Sequence, residues 1–234
     1  MTPLRWTLLA VCMAVPALAY RLGGVGLWVT YATAYGIAAA LAAREFAADG
    51  QLRGALSPQR GDAAFGFGSA ALFYLALLLA FRYVIAPGSF LPLCGPDGAL
   101  FGQPGVHGLG VVTEWLRDRS CAGFARSSGI RGPARGVLVV AIAAAEELAW
   151  RGGVQQGLSE RLGSTRGWLA ATGLYALAQF GTGNAATVLL ALAAGLLFGA
   201  LFRYRGRLAP ALFAHCTFAW FFLYQQPVLA LPLH

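Results

Sequence analysis

Long uncharged stretches alternate with short charged segments along the chain. Residues 22–43, 64–81, 167–202 and 208–234 contain no Asp, Glu, Arg or Lys, and each stretch can cross the roughly 30 Å hydrocarbon core of a bilayer at least once. With charged residues as boundaries, the pattern predicts seven transmembrane helices, at about 6–20, 24–43, 64–86, 136–158, 167–181, 184–202 and 208–231. The apolar segment 98–112 contains several glycines and Pro104, which weaken a helix, so we expect it to be re-entrant or interfacial; an eighth span is the alternative.

The composition indicates the same class of protein. Of the residues, 58% are hydrophobic and 11% are charged, which leaves too few polar side chains to cover a soluble globule. We therefore predict an all-α, polytopic transmembrane bundle that forms one integral membrane domain over residues 1–234. The basic residues are all Arg and lie mostly between the apolar stretches, so the net charge of +8 indicates topology determinants and contacts with the lipid bilayer, and no nucleic acid partner is expected. Arg without Lys, together with abundant Ala, Gly and Leu, suggests a GC-rich bacterial genome and a multi-pass protein of the inner membrane.

The N-terminus permits two interpretations. Residues 1–19 have the charged, apolar and small-residue regions of a secretory signal peptide, but a second apolar stretch begins at Leu22, which favours an uncleaved first span. With seven spans and a cytoplasmic N-terminus, the arginines of three loops fall inside: Arg44, Arg53 and Arg60; Arg161 and Arg166; Arg203, Arg205 and Arg207. The segment 87–135 then lies outside, and Cys94 and Cys121 within it form the one plausible disulfide.

Charged residues within an apolar span are costly to insert and are therefore functional candidates. Glu146, Glu147 and Arg151 follow nine uncharged residues, 137–145, on a predicted helix. Glu147 and Arg151 form an i,i+4 pair in the favourable order, so they can neutralise each other. Glu146 is less well paired and is the better candidate for a general base. The alternative is that all three are interfacial charges near a helix end, whose side chains extend to the lipid headgroups.

Two further polar residues lie within apolar stretches, Gln179 and His215. Taken singly, each is explained by a hydrogen bond to a neighbouring helix. Together with the carboxylates, on three spans that can bundle, they would surround a hydrated cavity and activate water against a peptide carbonyl. Zinc is disfavoured because the core has one His with two Glu and no HExxH motif, and we expect no metal and no cofactor.

These residues resemble the motifs of the CPBP intramembrane proteases, which include the type II CAAX prenyl endopeptidases, over roughly residues 130–224. Glu146-Glu147-Leu-Ala-Trp-Arg151-Gly is similar to the first motif, EExxxR followed by Gly. The stretch 174–179 resembles the second motif, FxxxH, with Tyr175 and Gln179 in place of Phe and His. The third motif, HxxxN, appears as His215 followed by Ala219 at the Asn position.

The resemblance implies a membrane-embedded glutamic endopeptidase that needs no metal. It implies that Glu146 activates water, that Glu147 and Arg151 support it, and that His215 helps to bind the carbonyl oxyanion. Gln179 would orient water or donate a hydrogen bond. The expected partner is a membrane-anchored protein or peptide substrate from which a C-terminal segment or sorting signal is removed.

Two other functions fit the sequence. A non-catalytic membrane partner, immunity factor or chaperone would explain the changes at Gln179 and Ala219. A transporter or channel would also use intramembrane carboxylates, but the small number of spans and the lack of a repeated half argue against it.

Overall fold

The computed structural model describes residues 2–48, 50, 52–80, 130 and 132–225, and within them it contains helices and turns without strands. The helices are α1 (Pro3–Leu22), α2 (Gly24–Ala48), α3 (Leu52–Leu56), α4 (Asp62–Ala80), α5 (Pro133–Glu147), a first π helix (Leu148–Gln155), α6 (Gln156–Leu162), α7 (Ser164–Ala178), a 3₁₀ turn (Gln179–Thr182), α8 (Ala185–Arg205), α9 (Ala209–Ala219) and a second π helix (Trp220–Gln225). The predicted all-α membrane bundle is confirmed.

The predicted spans coincide with helical segments wherever the structure describes them. Among the described residues, four helices are long and apolar enough to cross a membrane, α1, α2, α4 and α8, and Ala209–Phe222 is a shorter apolar helix. The predicted span 136–158 lies in an unbroken helical segment from Pro133 to Leu162, which changes from α to π geometry and back. The count of seven stays a prediction, since length and apolarity identify four.

Several predictions fall on residues outside the described ranges. They concern the segment 98–112, the pair Cys94 and Cys121, and the predicted location of residues 87–129 outside the membrane.

The helix ends follow from local sequence. Thr2 caps α1, because its hydroxyl accepts a hydrogen bond from the Arg5 backbone N–H at 3.2 Å. Asn184 caps α8 in the same way, and its Oδ1 accepts from the N–H of Ala186 at 3.0 Å. The turn from α8 to α9 requires a left-handed residue at φ 67°, and Gly206 supplies it without steric cost.

An ion-pair cluster joins the first helix to two others. Arg5 on α1 pairs with Glu45 near the end of α2 and with Glu160 on α6. The helix also packs on the first π helix, where a Cβ at Gly153 would overlap the side chain of Leu8. The N-terminal helix is therefore packed into the bundle beside the EExxxR motif.

A second cluster joins α4 to the turn between α8 and α9. Asp62 is fully buried, and its Oδ1 accepts from Arg205 at 2.8 and 3.0 Å while its Oδ2 lies 3.1 Å from Nε of Arg207. The backbone N–H of Leu208 donates to the carbonyl of Ala55 on α3 at 2.9 Å.

Both clusters lie at one end of the bundle, which we call the arginine-rich end. The three loops predicted to lie inside meet there, since Arg203 donates to the hydroxyls of Ser164 and Thr165 and Arg205 donates to the carbonyl of Arg60. Grouping of arginines at one end is what the positive-inside rule predicts for the cytoplasmic side.

Candidate active site

The two carboxylates of the first motif lie at the junction of α5 and the first π helix. Glu146 and Glu147 are the last residues of α5, and Arg151 lies in the π helix that follows. All three are buried, with exposed fractions of 8%, 1% and 1%. The predicted i,i+4 pair is present, because Nε of Arg151 lies 3.3 Å from Oε2 of Glu147. Burial of all three excludes the alternative of interfacial charges that extend to the lipid headgroups.

The π helix is a local feature that the sequence pattern did not indicate. The helix bonds i→i+5 over Leu148–Gln155, a geometry that is rare and often found at functional sites. It fits tightly against its neighbours, since a Cβ at Gly152 would lie 2.6 Å from the ring of Phe46 on α2. The glycine of the first motif thus lets α2 approach the turn that carries Arg151.

His215 on α9 meets both carboxylates. Its Nδ1 lies 2.8 Å from Oε1 of Glu147, and its Nε2 lies 3.7 Å from Oε2 of Glu146. Because Glu147 also pairs with the Arg151 guanidinium, we assign this carboxylate as the acceptor and Nδ1–H as the donor, and Nε2 then faces Glu146. The ring of Phe198 on α8 stacks on the imidazole, with centroids 4.8 Å apart and an angle of 25°. The structure therefore brings together four of the five predicted site residues.

Tyr175 on α7 completes this cluster, and the sequence did not predict that its hydroxyl would take part. Its hydroxyl donates to Oε2 of Glu146 at 3.3 Å. Its ring lies 5.2 Å from the Arg151 guanidinium and meets the Trp150 ring edge-on at 5.1 Å. The sequence feature that could have indicated this role is the position of Tyr175 four residues before Gln179, on the same face of a helix.

Tyr35 on α2 supports the site from the opposite side. Trp150 Nε1 donates to the Tyr35 hydroxyl at 3.4 Å, and both residues are fully buried. Because Trp150 lies between Glu147 and Arg151 in the motif, this bond fixes the π helix to α2. The sequence gave no signal for Tyr35, since an aromatic residue in an apolar span is typical of a core position.

Gln179 is buried but does not join the cluster. It is 4% exposed and begins the 3₁₀ turn after α7, one helical turn beyond Tyr175. Within the part of the chain that the structure describes, its side chain makes no hydrogen bond to Glu146, Glu147 or His215. A direct role in catalysis for Gln179 stays a prediction.

The cluster combines groups that suit hydrolysis. Arg151 and His215 both bind Glu147, so the oxygens of this carboxylate already have side-chain partners, which Glu147 holds in place. Glu146 has one hydroxyl donor and lies too far from Nε2 for a direct hydrogen bond, so it is the carboxylate with capacity to accept a proton. A buried base beside an imidazole is an arrangement that can act on water and a carbonyl group.

A comparison with known families identifies the same segment. Residues 133–221 match the family model described as type II CAAX prenyl endopeptidase Rce1-like. The matched stretch runs from α5 into the second π helix and contains every residue of the cluster on α5, α7 and α9. Neither the curated proteins nor the solved structures gave a significant match. The resemblance that the motifs indicated is confirmed over this segment, and it supports a CAAX-type protease function in a membrane.

Proposed function

We propose that the protein is a glutamic-type intramembrane endopeptidase. The match of residues 133–221 to the Rce1-like CAAX prenyl endopeptidase family supports this proposal. It hydrolyses a peptide bond in a membrane-anchored protein and removes a C-terminal segment. The observation that carries the proposal is the buried cluster of Glu146, Glu147, Arg151 and His215, assembled from two helices of the matched segment. The host membrane is proposed to be a bacterial inner membrane.

In the proposed mechanism each group carries out one step. Glu146 accepts a proton from water, and the resulting hydroxide attacks the carbonyl carbon of the scissile bond. His215, held by Glu147 through Nδ1, presents Nε2; when protonated, this nitrogen donates to the carbonyl oxygen as negative charge develops there. Glu146 then passes its proton to the leaving amine as the C–N bond breaks. Arg151 acts as a positioning residue, because it holds Glu147 rather than the substrate.

A second candidate function is a non-catalytic membrane partner from the same family. Two observations favour it: within the described residues Gln179 makes no hydrogen bond to the cluster, and Ala219, four residues after His215, offers only a buried methyl group. Loss of one oxyanion donor typically lowers turnover by about 100- to 1,000-fold. We favour the enzyme, since a scaffold does not require a base, its supporting Arg and an imidazole in mutual contact.

The test compares membrane proteins from four strains by mass spectrometry of intact C-termini. The strains carry the wild type, Glu146→Gln, a deletion and the matched control Glu160→Gln. Glu160 lies in the same helical segment, but its side chain is 48% exposed and pairs with Arg5 at the arginine-rich end. Immunoblotting of each variant in the membrane fraction shows that it accumulates.

The expected result is a set of C-terminal tails that persist in the deletion and in Glu146→Gln but not in Glu160→Gln. If only the deletion differs from the wild type while Glu146→Gln accumulates normally, the endopeptidase is excluded and the non-catalytic partner is supported.

A further inference from the structure

The hydroxyl of Tyr175 makes the one direct hydrogen bond that the Glu146 carboxylate receives from the described residues. The other polar atom nearby, Nε2 of His215, lies at 3.7 Å and is beyond direct bonding distance. A glutamate side chain has three rotatable bonds, so a base with no donor would be distributed over several orientations. We propose that Tyr175 is a positioning residue that fixes the Glu146 carboxylate in the orientation in which it accepts a proton from the attacking water. This inference rests on the proposed endopeptidase function.

The tyrosine ring is itself held rigidly, which makes it suitable for that role. Its face lies against the Arg151 guanidinium and its edge meets Trp150, and the residue is 6% exposed. On the α8 side the ring packs beside Gly195, where a Cβ would make van der Waals contact with Cδ1 of Tyr175 at 3.4 Å. A phenol on a fixed ring delivers its hydrogen bond at little entropic cost, because only the O–H rotor stays free.

The hydrogen bond from Tyr175 also distinguishes the roles of the two carboxylate oxygens of Glu146. Oε2 faces Tyr175 and His215, so the second oxygen, Oε1, is the one that receives the proton from water. The same proton leaves from Oε1 to the amine product, and Tyr175 keeps its own proton throughout. Tyr175 thus acts through Glu146 and does not touch the scissile bond.

The neighbouring polar residue on the same face of this helix provides the contrast. Gln179 lies one turn further along, in the 3₁₀ turn, and its side chain makes no hydrogen bond to Glu146 within the described residues. The structure therefore assigns the polar function of the second motif to position 175, although the sequence singles out position 179.

The experiment measures kcat and KM separately for the purified full chain in detergent micelles. The substrate is a synthetic peptide spanning the cut site of a protein whose tail persists in Glu146→Gln cells. The variants are Tyr175→Phe, which removes only the hydroxyl and keeps the ring on Arg151 and Trp150, and the matched control Tyr204→Phe, which removes the same group from a residue of α8 that is 77% exposed. Thermal unfolding of each variant is recorded in the same micelles.

Tyr175→Phe is expected to lower kcat about tenfold, the factor that corresponds to about 1.4 kcal/mol and hence to one hydrogen bond to a charged group. KM should change by less than threefold, and the unfolding temperature should stay within about 2 °C, because the ring contacts remain. Tyr204→Phe should keep kcat within threefold of the wild type, because its hydroxyl lies at an exposed position outside the cluster.

A Tyr175→Phe enzyme with wild-type kcat would overturn the inference, as would a loss in kcat that Tyr204→Phe matches. Glu146→Gln in the same assay separates this inference from the proposed function. If Glu146→Gln cleaves the peptide as the wild type does, the endopeptidase proposal fails and the inference fails with it. If Glu146→Gln is inactive and Tyr175→Phe is unaffected, only the inference about Tyr175 fails.

Discussion

Gly66 on α4 is the point at which a single methyl group would force two helices apart. A Cβ built there would lie 2.8 Å from the carbonyl oxygen of Pro210 and 3.1 Å from the backbone nitrogen of Ala214 on α9. These are backbone atoms, so no change of rotamer relieves the contact. We expect Gly66→Ala to displace α9 as a unit.

The size of the effect follows from these distances. Non-bonded heavy atoms pack best at about 3.5–4.0 Å, so α9 must move away by roughly 1 Å. Overpacking of this kind typically costs about 1–3 kcal/mol of unfolding free energy. His215 follows Ala214 directly, so the movement also acts on the 2.8 Å contact between its Nδ1 and Glu147. A hydrogen bond of that length is lost with a displacement of about 1 Å.

The chain offers a matched control on the same helix. A Cβ at Gly68 would meet nothing within 4 Å, so Gly68→Ala should be neutral or should stabilise α4 by up to about 1 kcal/mol through helix propensity. The assay is reversible unfolding of the purified protein by titration with SDS in mixed micelles, with far-UV circular dichroism as the signal. Removal of C-terminal tails in cells is measured in parallel. Equal stability of the Gly66→Ala and Gly68→Ala proteins would refute the close approach of α4 and α9.

Two further predictions concern buried charges. Asp62→Ala leaves Arg205 and Arg207 without their fully buried partner, and both arginines are 15–20% exposed. We therefore expect the unfolding free energy in the same titration to fall by about 2 kcal/mol, against less than about 1 kcal/mol for Glu160→Ala. Equal losses in the two variants would contradict the structural role of Asp62. Arg151→Lys keeps the charge, but a lysine cannot both reach Glu147 and lie against the ring of Tyr175. Removal of C-terminal tails, measured by mass spectrometry of intact C-termini, should therefore slow at least about tenfold. A wild-type rate would show that the charge alone suffices.

The sequence predicted those parts of the site that depend on spacing within one helix. The pair of Glu147 and Arg151 follows from a separation of four residues, and the structure shows it at 3.3 Å. The meeting of His215 with the carboxylates depends on how α9 packs against α5. The polar position within an apolar span indicated that His215 had a partner, but it could not tell which carboxylate Nδ1 would bind.

The parts that the sequence did not predict depend on tertiary packing or on subtle backbone geometry. Tyr35 and Tyr175 look like ordinary core aromatics, because their hydroxyls acquire a role only when α2 and α7 meet the first π helix. Gln179 stood out as a polar residue in an apolar stretch, yet within the described residues its side chain makes no hydrogen bond to either carboxylate. The change from α to π geometry over eight residues is too short to alter the hydrophobic periodicity.

The pairing of Glu147 with Arg151 bears on how the protein is made. Both charges belong to one turn of helix, so they neutralise each other as soon as that turn forms during insertion. His215, the other partner of Glu147, is synthesised 68 residues later. A lone carboxylate at the centre of a bilayer costs about 2.5–3.5 kcal/mol on insertion scales. The guanidinium of Arg151 reduces that cost before α9 has been inserted. The charge of Glu147 is therefore compensated as this helix enters the membrane, and the imidazole of His215 joins it only when α9 is inserted.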